Sequence, residues 1–216
     1  MVKVRELLCR MVLWRGRVRW LCIAMFAPFV LLAISIVIAS LLQDTPILFT
    51  GFGKSREFQQ FSALGFLSYN IVSFGFGEEV GWRGFALPRL QTRYPALVAT
   101  LVLSVGWAVW HIPLFLYRPG YTGMGVAGIA GWLFSLVTGA VLLTWMYNSS
   151  RGSLLVVAIF HATVDVAFTS TVASPMVVNV LGAFITVWGV AVVLVAGPRF
   201  LSRGATAVQP NDACVS

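Results

Sequence analysis

The sequence predicts an all-α fold, a polytopic membrane bundle of about six transmembrane helices. Of its 216 residues, 59% are hydrophobic and 10% are charged, so the chain is far more apolar than a soluble domain. Apolar stretches long enough to cross a bilayer alternate with short turn signals rich in proline and glycine. If the stretches cross the membrane in turn, twelve of the 15 basic residues fall on one side of it.

The predicted elements follow one another without a break large enough for a soluble domain. Residues 1–19 are predicted to form a basic N-terminal arm, residues 20–198 the transmembrane domain and residues 199–216 a short C-terminal tail. The predicted helices cover residues 20–42, 61–82, 94–117, 124–147, 152–172 and 176–198.

The basic residues predict the orientation of the bundle. Cytoplasmic loops collect lysine and arginine, so both termini are expected in the cytoplasm, with the bundle in the cell (inner) membrane. The arm can also lie on anionic lipid. Because the net charge of +8 is concentrated at membrane boundaries, it indicates a lipid bilayer as partner and not a nucleic acid. The basic residues of the arm are Lys3, Arg5, Arg10, Arg15, Arg17 and Arg19.

Glycines on the fourth predicted helix indicate close helix packing. Small side chains allow membrane helices to approach each other, and this segment carries several of them at short spacing. We therefore expect a neighbouring helix to pack against this surface, which consists of Gly123, Gly125, Ala127, Gly128 and Gly131.

Scarce ionisable groups lie in or beside three of the apolar segments. The chain has seven acidic residues and two histidines, and five of these nine groups are Glu78, Glu79, His111, His161 and Asp165. Placing a charge in hydrocarbon costs on the order of 3 kcal/mol, so such groups are candidates for a functional site. Each histidine alone is more simply a helix-to-helix hydrogen-bonding group, and the acidic pair alone a helix end in the headgroups. Their occurrence on three segments favours one polar site inside the bundle.

Helical spacing predicts how these groups are arranged. We expect the second helix to continue through Arg83 as far as Pro88 or a little past it, so that Glu79 and Arg83 form an i,i+4 ion pair. Glu78 lies about 100° around the helix axis and is free to face a substrate or a water. His161 and Asp165 share one face of the fifth helix at i,i+4.

Three motifs in this order resemble those of a known protease family. The stretch 78–84 reads EEVGWRG and is similar to an E-E-x-x-x-R motif, Trp107 precedes His111 by four residues, and His161 precedes Asp165 by four. Together they resemble the CPBP family of intramembrane proteases, relatives of the CAAX prenyl protease Rce and of bacterial Abi or bacteriocin-immunity proteins. Trp107 and Trp110 are candidates to line the site.

The resemblance implies an intramembrane endopeptidase that cleaves a peptide or a membrane-protein tail. Glu78 and His111 would activate a water, and His161 with residue 165 would stabilise the oxyanion, while Glu79 and Arg83 support the site. A glutamate and a histidine can act as general bases, and hydrogen-bond donors stabilise charge that develops on the carbonyl oxygen. The alternative is a non-enzymatic membrane immunity or transport protein that binds a peptide or an ion at the same site.

The sequence leaves open both the role of Asp165 and whether the site binds a metal ion. The best-studied branch of the family has asparagine at this position, so Asp165 is expected to be protonated, to orient His161, or to ligate a metal. The family was long described as metalloproteases, and imidazole and carboxylate ligands suit zinc. The absence of an H-E-x-x-H spacing puts a metal-free glutamate mechanism slightly ahead. The possible zinc ligands are Glu78, His111, His161 and Asp165.

Overall fold

A computed structural model describes residues 4–14 and 16–202. Over these residues the regular elements are helices, and extended backbone pairs only at an isolated antiparallel bridge between Ser55 and Ser170. The helices are α1 (Val4–Met11), α2 (Val18–Gln43), α3 (63–91), α4 (Ala96–Tyr117), α5 (Val126–Ser149), α6 (Leu154–Thr169) and α7 (Pro175–Ala196).

The observed helices confirm the predicted all-α membrane bundle. Within the described residues, α2, α4, α5 and α7 are long and apolar enough to cross a bilayer. The helix α6 is apolar but has only 16 residues, and α3 carries the charged residues of the second predicted segment. A helix thus occupies each of the six predicted segments, and these two helices contain most of the ionisable groups singled out above.

The short helix α6 lies at the centre of the bundle. It packs against α2, α3 and α5. Ten of its side chains are buried, including Phe160 and His161. Because protein surrounds this helix on several sides, its polar side chains have partners that lipid could not provide.

The helix α3 is continuous from residue 63 to residue 91, as the sequence predicts for the part beyond Arg83. Its first turn is capped by Ser62, whose hydroxyl accepts a hydrogen bond from the Gly65 amide at 3.1 Å. Two wide π-helical stretches, Ile71–Phe76 and Val80–Ala86, lie on either side of the Gly77–Glu79 turn. Such stretches re-aim side chains within a helix and occur frequently at functional sites. Because α3 extends to Gln91, the acidic pair lies near its middle, well inside the bundle.

The described part of the N-terminal arm forms a helix that packs on the bundle. Arg10 is fully buried, and its guanidinium donates to the Tyr147 hydroxyl at 2.9 Å and to Glu6 on its own helix. The side chain of Leu7 lies beside Gly84 of α3. Lys3, Arg15, Arg203 and the tail beyond residue 202 lie outside the described residues.

The expected close packing of the glycines on the fourth segment is wrong. A methyl group added at Gly123, Gly125 or Gly131 would meet no atom within 4 Å, and one at Gly128 would meet only its own neighbour Met124. Close approaches occur elsewhere, at Gly189 against Thr138 and at Gly75 against Ala158. The start of α5 faces outward, so its small residues meet no other helix within the part of the chain that the structure describes.

Candidate functional site

Three helices bring the predicted site residues together. The glutamates come from α3, Trp107 and His111 from α4, and His161 and Asp165 from α6. The helices α3 and α4 are joined by the short turn 92–95, so they run in opposite directions. Since the glutamates lie about as far before this turn as Trp107 lies after it, the two helices place them at one depth.

Glu79 is the buried centre of one half of the site. Its Oε1 accepts hydrogen bonds from Arg83 Nη1 at 2.8 Å and from His161 Nδ1 at 2.8 Å. The side chains of Glu79 and Arg83 are both fully buried. The predicted i,i+4 ion pair is therefore present, and His161 is an additional partner contributed by α6. A buried carboxylate needs such partners because its desolvation is costly.

Trp107 connects Glu78 with His111 in the other half. Its indole Nε1 donates to Glu78 Oε2 at 2.8 Å, and its backbone carbonyl lies 2.7 Å from His111 Nδ1. A carbonyl oxygen only accepts, so Nδ1 carries the proton, and Nε2 of a neutral His111 ring is left with a free lone pair. Glu78 and His111 are both half-buried, whereas Trp107 is 7% exposed.

Asp165 lies beside His161 on the more open side of the ring. Its Oδ2 is 3.6 Å from His161 Nε2, which is the distance of an ion pair and longer than a hydrogen bond. The Asp165 side chain is 36% exposed, and it interacts electrostatically with Glu78, His111 and Arg118. Asp165 therefore faces the same space as the groups contributed by α3 and α4.

Aromatic rings form the walls of the site. The Trp107 ring centroid lies 5.6 Å from that of His111 and 5.4 Å from that of His161. The guanidinium carbon of Arg83 lies 5.0 Å from the Trp107 ring centroid. On its other side, His111 contacts the rings of Tyr121 and Trp132. Sequence reasoning predicted the lining role of Trp107, whereas Tyr121 and Trp132 were missed because no motif or spacing marks them. Trp110 is 62% exposed and lies outside this wall.

The phenol of Tyr121 stays protonated at neutral pH. Burial raises the pKa of Tyr121 above its ordinary value, and the negative charge of Asp165 raises it further. Tyr121 thus adds a neutral hydroxyl to the loop end of the site.

The possible zinc ligands do not form a metal site in this arrangement. Over residues 4–14 and 16–202, no three side chains of His, Cys, Asp or Glu are grouped so that they could bind one metal ion. Glu78 Oε2 is bonded to an indole, His111 Nδ1 to a backbone carbonyl and His161 Nδ1 to Glu79.

The two helices that carry Glu79 and His161 cross in backbone contact. A Cβ added to Gly75 would lie 2.5 Å from the carbonyl oxygen of Ala158, a distance that real Cβ atoms do not show. Gly75 is four residues before Glu79, and Ala158 is three residues before His161. The absence of a side chain at Gly75 therefore lets α3 and α6 approach closely enough for the Glu79–His161 hydrogen bond.

Gly75→Ala is expected to destabilise the bundle and to lower its activity, because the added methyl forces α3 and α6 apart. Overpacking of this kind costs about 1 to 3 kcal/mol, which lowers the melting temperature by roughly 2 to 10 °C. Thermal unfolding of the protein in detergent measures the effect. Gly81→Ala is the matched control, since a Cβ at Gly81 meets nothing within 4 Å. Equal stability of the two variants would contradict the backbone contact.

Comparisons with known proteins agree with the family that the three motifs resemble. A family model described as Type II CAAX prenyl endopeptidase Rce1-like matches residues 60–167, half of the chain, and this range contains all the candidate site residues. The chain is also 29% identical over 92 residues to CAAX prenyl protease 2 of Methanococcus maripaludis. That match covers 41% of this chain and 34% of the relative, so the chain spans about a third of the relative's length. The chain belongs to the Rce1-like family of type II CAAX prenyl endopeptidases.

Proposed function

We propose that the chain is an intramembrane endopeptidase in which Glu78 and His111 activate a water for attack on a peptide carbonyl. The observation that carries this proposal is the position of Trp107, which binds Glu78 through its indole and His111 through its backbone carbonyl. The Glu78 carboxylate and the His111 imidazole, two candidate general bases from different helices, are thereby both held by Trp107. Such pre-positioning is what a general base requires.

The hydrogen bonds leave the reactive atoms of both groups available. Trp107 occupies Oε2 of Glu78, so Oε1 can accept a proton from the attacking water. Nε2 of His111 is a second proton acceptor. After attack, the proton passes from the base to the nitrogen of the leaving amine, and the peptide bond breaks.

His161 is suited to stabilise the oxyanion. Its Nδ1 binds Glu79, so Nε2 is the ring atom that can face the reacting carbonyl. The carboxylates of Glu79 and Asp165 on either side of the ring are complementary to a positively charged imidazole. We assign Asp165 to orienting His161 and balancing its charge, because an ionised Asp165 in direct contact with the oxyanion would repel it.

The substrate we propose is a peptide or the tail of a membrane protein. The family name and the matched relative refer to CAAX prenyl proteins, and prenylated tails are one class to test. The distribution of basic residues supports an inner-membrane location with both termini in the cytoplasm.

Cleavage of a quenched fluorescent peptide library by the protein purified in detergent tests the proposal. Wild type is expected to cleave, and Glu78→Gln and His111→Ala are expected to lose this activity. Cleavage that survives both substitutions would overturn the assignment of the two residues. A wild type that binds peptides but cleaves none would favour the non-enzymatic immunity or transport protein.

Trp107→Phe is expected to lower kcat roughly tenfold or more with little change in KM. Phenylalanine keeps a ring between His111 and His161 but cannot donate to Glu78, and a hydrogen bond to a charged group contributes about 1.5 to 3 kcal/mol. Steady-state kinetics separate the two constants. Trp110→Phe is the matched control, because Trp110 is an exposed indole three residues away. Equal losses in both variants would indicate a general effect on the helix.

Exhaustive chelation is expected to leave the activity intact. The protein is dialysed against a strong chelator, its metal content is measured by elemental analysis, and cleavage is assayed again. Loss of activity that stoichiometric zinc restores would show that the metal-free mechanism is wrong.

A further inference from the structure

A positively charged side chain lies at the loop end of the candidate site. The guanidinium carbon of Arg118, in the loop between α4 and α5, is 5.8 Å from the Tyr121 ring centroid and 5.9 Å from that of Phe74. Tyr121 in turn contacts the ring of His111, at 6.5 Å between centroids. Phe74 lies one helical turn before Glu78 on α3. Arg118 therefore lies beside two aromatic rings, one of which contacts His111.

Arg118 already binds a carboxylate. Its Nε lies 3.3 Å from Oε1 and 3.2 Å from Oε2 of Glu57, and its Nη2 lies 3.2 Å from Oε2. The two side chains are 21% and 27% exposed, so the pair is still within reach of solvent. A guanidinium fork matches the two oxygens of a carboxylate, and Glu57 shows that this position can accommodate one.

This ion pair contributes little to stability. Partly exposed salt bridges contribute about 0 to 1 kcal/mol, because water competes for both partners. The same accessibility means that another carboxylate can replace Glu57 at little cost. The neighbouring site groups Glu78 and Asp165 are acidic, and Arg118 interacts electrostatically with Asp165. A peptide that carries a negative charge near its scissile bond would need such a cation.

We propose that Arg118 binds a carboxylate of the substrate and that Glu57 occupies this position until the substrate displaces it. The inference rests on the proposed protease function and adds a substrate class to it. The ligand is a peptide that carries a carboxylate close to the cleaved bond. This carboxylate is either the C-terminus of the peptide or the side chain of an aspartate or glutamate.

Three matched peptide libraries test the proposal. One library ends in a free C-terminal carboxylate, the second is identical but ends in a carboxamide, and the third is the carboxamide library with aspartate placed near its end. Cleavage and binding are measured for wild type, Arg118→Gln and Glu57→Gln. Arg56→Gln is the control, since it removes a positive charge from an exposed neighbour of Glu57 without removing either partner of the ion pair.

The two substitutions are expected to act in opposite directions. Arg118→Gln should raise KM for the carboxylate peptides roughly tenfold and leave the plain carboxamide peptides unchanged. Glu57→Gln should lower KM for the carboxylate peptides several-fold, because the internal competitor is gone. An ion pair that serves only to join the α2–α3 loop, which carries Glu57, to the α4–α5 loop, which carries Arg118, would be lost equally in both variants. Changes of the same direction and size on every library would therefore overturn the proposal.

A charge exchange provides a second, independent outcome. Glu57→Arg combined with Arg118→Glu keeps an ion pair between the loops but places a carboxylate beside Phe74 and Tyr121. Loss of the preference for carboxylate peptides in this double variant would support the proposal. Recovery of the wild-type preference would overturn it.

Failure of this inference can be distinguished from failure of the protease assignment. Equal cleavage of the free-acid, carboxamide and aspartate libraries by wild type would overturn carboxylate recognition and leave the protease in place. Preferential binding of carboxylate peptides without any cleavage would support Arg118 and overturn the protease. Preference for the free C-terminus or for the aspartate library identifies the source of the carboxylate.

Discussion

Glu78→Gln is expected to lower kcat/KM by roughly 10²- to 10⁴-fold, the usual contribution of a general base. Glutamine has nearly the same shape, and its amide oxygen can still accept the hydrogen bond from Trp107. The melting temperature should therefore stay close to that of wild type. Cleavage kinetics and thermal unfolding of the same preparation separate a chemical loss from a loss of folding.

Asp44→Asn is the matched control for this substitution. It also changes one carboxylate to an amide, but Asp44 is an exposed residue at the end of α2. Asparagine tolerates the left-handed backbone conformation that Asp44 adopts there. Retention of most activity by Glu78→Gln would show that Glu78 is not the base.

Arg83→Met is expected to cost about 3 to 5 kcal/mol of stability, because it leaves the buried Glu79 carboxylate without its arginine partner. The double variant Glu79→Gln/Arg83→Met should be more stable than Arg83→Met alone. It removes both charges, and the glutamine oxygen can still accept from His161 Nδ1. Thermal unfolding in detergent of wild type, Arg83→Met and the double variant measures these differences in stability.

Arg89→Met is the matched control for Arg83→Met. Arg89 lies on the same helix, but it contacts the carbonyl and the ring of Phe85, and its hydrogen bond is exposed. A loss of stability as large as that of Arg83→Met would mean that the buried ion pair has no special role.

The parts of the site that lie within one helix could be predicted from the sequence. The spacing of Glu79 and Arg83, and that of His161 and Asp165, determines that each pair shares a helix face. The extension of α3 past Arg83, as far as Pro88 or a little past it, was also predicted. These contacts depend on local geometry, which residue spacing is sufficient to describe.

The contacts between helices could not be predicted, because they depend on how the helices rotate and cross. Glu79 and His161 are 82 residues apart in the chain, and Glu78 and Trp107 are 29 apart. No local pattern reveals that the indole of Trp107 donates to Glu78. The motif only marks an aromatic residue four positions before a histidine.

The glycines also show that contacts between helices cannot be predicted from residue spacing alone. Small residues at helical spacing indicate where a helix can approach closely, but not whether a neighbour is present. Among the described residues, the glycines at the start of α5 meet no other helix, whereas the isolated Gly75 lies against the backbone of α6. The close contact that matters for the site thus came from a glycine that sequence reasoning had not singled out.

The central claim is that Glu78 and His111 act together on one water. It is tested most directly by kcat/KM for wild type, Glu78→Gln, His111→Ala and the Glu78→Gln/His111→Ala double variant. Residues that act as a unit have non-additive effects, so the double variant should cleave peptides within about threefold of the slower single variant. Losses that multiply in the double variant, or cleavage that survives both substitutions, would contradict the account.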